Sequence, residues 1–119
     1  MQSLSENPWR GEVTLTINGT PRVLRLPLGA LARLEHQLQE TSLLDLVQRF
    51  ETGRFSAADI LALLTAGLEG GGHDLDSLDL AQAEISGGAV EAARVAALLL
   101  ARSFSLPKGP EVSEGSGSL

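Results

Sequence analysis

The chain has 119 residues, with 15 Asp and Glu against 9 Lys and Arg, no Cys, and four aromatic side chains: Trp9, Phe50, Phe55 and Phe104. At 43% apolar and 20% charged it has the composition of one small globular domain, with enough apolar material for a core without disulfides or a structural metal. The missing cysteines exclude thiolate metal sites and thiol nucleophiles, and a net charge of −6 argues against a protein that coats phosphate backbones, which needs Lys and Arg.

Residues 1–8 are polar and end on the breaker pair Asn7-Pro8, which predicts a flexible lead-in with order starting near Trp9. They contain acidic Glu6 and no apolar run, so neither a secretory signal nor a lipidation site is read there. Between 11 and 26, EVTLTINGTPRVLRL reads as two alternating runs around Asn18-Gly19, a strong hairpin signal because both residues tolerate positive φ. A two-residue loop pairs Ile17 with Thr20, and a four-residue loop pairs it with Arg22. Either register puts Val13, Leu15, Ile17, Leu24 and Leu26 on one face, which helices must cover. Pro21 lacks a donor and belongs at the turn or on a sheet edge.

After Pro27 the period becomes helical. Leu31, Leu34 and Leu38 recur with Arg33, His36 and Gln37 opposite, predicting a helix over 28–39. Ser42 with Asp45 forms a capping box ahead of the stripe Leu43, Leu46, Val47 and Phe50, which Gly53 closes. The same grammar repeats with Ser56 and Asp59 ahead of Ile60, Leu61, Leu64 and Leu68, ending in Gly70-Gly71-Gly72. An acidic, less regular stretch predicts a short helix over 77–84 capped by Asp76 or Ser77. Ser86-Gly87-Gly88 breaks the chain before a long Ala- and Leu-rich helix over 89–104. Its most apolar run, Val95 to Ala101, falls far short of the ~20 residues of a bilayer span, so no membrane segment is expected, and with no secretory signal read at 1–8 a cytoplasmic protein is expected. The Pro/Gly/Ser-rich residues 106–119 are expected to be disordered. The fold class read from this pattern is α+β, a hairpin packed on four to five helices, in a single domain over 9–105.

The pattern holds no catalytic, cofactor-binding or metal-binding constellation. His36 lies on a polar helix face. His73 neighbours Asp74 and Asp76, but one imidazole on a glycine-rich loop gives too few fixed ligands, and turn chemistry or helix capping accounts for it. The three glycines end a helix instead of opening one and lack a following Lys, so they read as a flexible joint and not a phosphate cradle. No Ser occupies a nucleophile elbow. The last helix is more informative. On a wheel of ~100° per residue, Glu91, Arg94 and Arg102 share a side with Val95 and Leu98. One reading is a helix buried nearly all round; the other is an apolar strip left open for a partner or a second copy. The three charges lack obvious partners in the sequence, which favours the open strip and nominates Arg94, Val95, Leu98 and Arg102 as partner-binding residues.

Taken in order, PWRGEVTLTINGTPRVLRLPLGALARLE, FETGRFS and LLTAGLEGGGHDL resemble a small protein of the tail-gene cluster of alphaproteobacterial gene transfer agents, which are domesticated phage-like particles. The resemblance covers about residues 8–104, with RGEV, LGALARLE and GLEGGGHD the strongest matches. It implies a tail assembly chaperone, small, acidic and not an enzyme, that binds the tape measure protein or another tail protein before the tube polymerises. The alternative it implies is a structural tail tube or connector component, although tube proteins are usually β-rich and this chain has one obvious hairpin. A protein-binding adaptor unrelated to phage is a third class. No nucleic acid or cofactor is implied, and self-association remains open.

Overall fold

Asn18 (φ 52°) and Gly19 (φ 80°) both lie in the left-handed region, as a two-residue type I′ turn requires. In the computed structural model, which describes residues 6–7, 10–39, 41–75 and 79–104, this turn joins β1 (Val13–Ile17) to β2 (Thr20–Leu24) in an antiparallel pair. The shorter register is the one adopted, with Ile17 opposite Thr20 and Val13 opposite Leu24. Val13, Leu15, Ile17, Leu24 and Leu26 are all buried, so alternation alone defines the inner face. Pro21 is exposed opposite Thr16 on a two-stranded sheet, where both strands are edges and a missing donor is tolerated.

Four helices follow: α1 (Leu28–Leu38), α2 (Leu43–Glu51), α3 (Ala57–Gly70) and α4 (Gly88–Phe104). Both expected capping boxes form. Ser42 Oγ accepts from the Asp45 amide at 3.1 Å, Ser56 Oγ accepts from the Asp59 amide at 3.1 Å, and each Asp carboxylate accepts from its serine's amide in return. Gly53 (φ 73°) closes α2, and the Arg54 amide reaches back to the Arg49 carbonyl at 2.8 Å. Gly72 (φ 85°) closes α3 in the same way: the His73 amide donates to Leu68 and the Gly72 amide to Glu69, both at 3.0 Å. These are the paired bonds of a left-handed helix stop.

The central helix is α3. It packs against α1, α4 and β2, while β1 packs on α4, and it buries Leu63, Leu64, Ala66, Gly67 and Leu68. Its glycines make this approach possible. A Cβ on Gly67 would lie 2.8 Å from Leu99, one on Gly70 would strike the Arg25 carbonyl oxygen, and one on Gly71 would strike that of Val23. The expectation of a flexible joint is therefore corrected: Gly70 and Gly71 let the end of α3 lie on the backbone of β2, and only Gly72 turns the chain. His73 reinforces the contact, its Nε2–H donating to the Val23 carbonyl at 2.9 Å.

The short helix expected over 77–84 is replaced, among the described residues, by a 3-10 turn at Leu80–Gln82; Asp76 and Ser77 lie outside the described residues. The reason is competition for backbone groups. Glu84 exchanges two 2.8 Å bonds with Asn18, the Ser86 amide donates to the Thr16 carbonyl at 3.1 Å, and Ile85 bridges to Ile17. A helix through 84 would forfeit these bonds along the free edge of β1. The edge is also covered earlier in the strand, where Glu6 Oε1 accepts from the Thr14 amide at 2.9 Å. Ordered contacts thus begin before Trp9; the rest of the expected lead-in and the tail over 106–119 lie outside the described residues.

One ion pair ties α2 to α3. Arg49 donates from Nε and Nη2 to the two oxygens of Asp59 at 3.0 and 2.7 Å, and Asp59 is only 7% exposed. Burial pushes this carboxyl up, but the Ser56 amide and the Arg49 guanidinium outweigh that effect and hold it below its ordinary value. Asp59→Asn removes the charge and is expected to cost about 1.5–3 kcal/mol, lowering the melting temperature by roughly 8–15 °C at neutral pH. A carboxyl whose pKa falls on folding stabilises the protein above its unfolded value of about 3.8 and loses that effect as pH drops through the lower folded value. The gap between wild type and Asp59→Asn should therefore narrow below about pH 4, which melts at neutral and acid pH would measure.

Candidate partner-binding surfaces

On α4 the buried residues are Ala92, Val95, Ala96, Leu99 and Leu100, spaced as the inner stripe of an amphipathic helix. Val95 is 0% exposed. It belongs to the core and not to an open strip, a correction to the reading from the helical wheel. Leu98 is half-buried at the edge of the same core. Arg94 is exposed and donates from Nε and Nη2 to Glu91 at 2.8 and 2.6 Å; the bond holds the Glu91 carboxyl low and the Arg94 guanidinium high.

Arg102 turns the other way. Its Nη1 donates to Glu6 at 2.6 Å and to the Glu12 carbonyl. Partial burial pushes the Glu6 carboxyl up, but the bonds from Arg102 and the Thr14 amide prevail and hold it below its ordinary value. The charges of α4 do have partners, then, and those of Arg102 escaped sequence reading because they lie 96 and 90 residues away. The four nominated residues divide into one core side chain, one at the boundary and two paired cations.

A different apolar surface opens between α2 and α4. Val47 and Phe50 form one wall, Ala97, Ala101 and Phe104 the other, with Leu100 between them and Glu51 at the rim, around a groove of about 390 Å³. Phe50 stacks on Phe55 with ring centroids 4.6 Å apart, an arrangement that fixes its wall. Phe104 is 52% exposed. The sequence carried a signal for this groove, since Val47 and Phe50 belong to the predicted stripe of α2 and Phe104 ends α4. What it lacked was the relation between the two helices.

Among the described residues, reactive side chains do not converge elsewhere. His36 is exposed on α1, and His73 is engaged with the β2 backbone. Among the described residues no group of three His, Asp or Glu side chains could hold a metal ion, and no helix is long and apolar enough to cross a membrane.

A helix-rich α+β domain whose accessible features are an apolar groove and paired surface charges has the character of a contact-making protein. The chain belongs to the family described as phage tail tube protein, GTA-gp10, which matches residues 10–106. That match spans every element from β1 through α4, and it makes this a tail-related protein of gene transfer agents and phages, a structural family and not an enzymatic one. No curated protein and no solved structure matches the chain.

Proposed function

We propose that the protein is a structural component of the tail tube or of its connector, acting through contacts with other tail proteins. The observation that carries this reading is the family match over residues 10–106, whose description puts the tube ahead of the assembly chaperone that the sequence resemblance first suggested. A second reading keeps the chaperone, engaging the tape measure protein in the cytoplasm before the tube polymerises. It is favoured by the composition of the fold, two five-residue strands against four helices, where a tube wall is usually β-rich.

Copy number in purified particles separates the two. A tube or connector protein should appear by quantitative mass spectrometry in fixed ratio to the other tail proteins. A chaperone should be abundant in producing cells and scarce or absent in finished particles, and that result would overturn the structural reading.

A further inference from the structure

We propose that the groove between α2 and α4 docks a helical segment of a partner protein that carries an apolar anchor flanked by Lys or Arg. This rests on the reading that the protein works by contact with other tail proteins, and it names the chemistry of one contact. An apolar slot between two helices suits an amphipathic helix whose anchors recur at i, i+3 or i+4 and i+7. Leu44, 67% exposed and one turn before Val47, extends the apolar strip along α2 beyond the slot.

Charge selects the occupant. Among the described residues Glu51 is the one charged residue lining the slot, and it forms no ion pair; of the two arginines that share an adjoining polar hollow with it, Arg49 is taken by Asp59 and Arg54 leaves it unbonded. A second copy docked here would bring together two chains of net charge −6 and supply no excess of positive charge for Glu51. A basic-flanked helix instead supplies Glu51 with a counter-ion and approaches down a favourable potential.

The test uses the full chain and two fluorescein-labelled synthetic helices, read by fluorescence anisotropy at low salt. Both carry leucines at i and i+4; one is flanked by lysines and the other by glutamates. The lysine peptide should bind about five-fold tighter or more, with the gap shrinking at about 0.5 M salt. Glu51→Gln, an exposed substitution, should close that gap while leaving the shared apolar affinity. Ala101→Trp, which fills the slot from an exposed helix position, should weaken both peptides about ten-fold without changing the melting curve. Equal binding of the two peptides, or a lysine preference that survives Glu51→Gln, would overturn the proposal. So would a wild-type dimer in sedimentation that Ala101→Trp dissociates, which would assign the groove to a second copy. These readouts need no particles, so their failure leaves the copy-number test of the tail role standing.

Discussion

Gly70→Ala is expected to lower the melting temperature by roughly 8–16 °C, while Gly72→Ala, two residues on, should lower it by only a few degrees. Gly70 is the last residue of α3, and a methyl group there would strike the Arg25 carbonyl and the Pro27 ring. Neither obstacle is the tip of a flexible side chain, so α3 must lift from β2, loosening Leu24 from the face of α3 at Gly67 and breaking the bond from His73 to Val23. Overpacking against backbone costs about 3 kcal/mol, the upper end of the usual range, and each kcal/mol is worth about 4–8 °C in a domain of this size. The intrinsic helix preference for Ala over Gly, about 1 kcal/mol, opposes the clash and loses to it. At Gly72 no atom of the described residues lies within reach of an added methyl, so the left-handed backbone is what penalises Ala, by about 1 kcal/mol. A flexible joint would behave otherwise, because Gly→Ala in an unstrained loop is neutral or stabilising by about 0.4–1 kcal/mol. Melts of the two variants beside wild type decide between these accounts.

The glycine run shows where sequence reading stops. A run of Gly marks either a turn or a close approach, and which one depends on what backbone lies above it, here Val23 and Arg25, more than 40 residues earlier. The features that read correctly are local. The Asn18-Gly19 turn, the boxes at Ser42 and Ser56, and the stop at Gly53 each involve residues within one or two turns of each other, so the pattern contains the whole interaction. The bonds from Arg102 to Glu6, from Glu84 to Asn18 and from His73 to Val23 join residues brought together only by folding. The same limit applies to the surfaces. Val47, Phe50 and Phe104 were recognisable as apolar helix positions, but nothing local states that α2 and α4 leave a groove between them. On α4 the wheel ordered the residues correctly and misjudged the centre of the buried arc, because Arg102 reaches over the edge of that arc to Glu6 and the Glu12 carbonyl.

Two positions three residues apart on α4 should therefore answer the same substitution in opposite ways. Val95→Asp places a carboxylate where the side chain is 0% exposed. It forfeits about 1.5–3 kcal/mol of apolar burial and adds several more for an unpaired buried charge, a sum that exceeds about 5 kcal/mol and reaches the whole stability of a typical small domain. Circular dichroism should show this variant largely unfolded at 25 °C. At the half-buried Leu98, a carboxylate can reach water and lies one helical turn from both Arg94 and Arg102, which are already engaged by Glu91 and Glu6 and so add no more than about 0.5 kcal/mol of attraction in all. Leu98→Asp should lose about 1–1.5 kcal/mol net, melting roughly 5–10 °C lower and staying folded. That leaves it fit to ask whether Arg94, Leu98 and Arg102 form a contact surface of their own. Loss of incorporation into particles or of self-association by a folded Leu98→Asp protein would support one; unchanged incorporation and unchanged mass in sedimentation would remove this face and leave the α2–α4 groove as the surface to pursue.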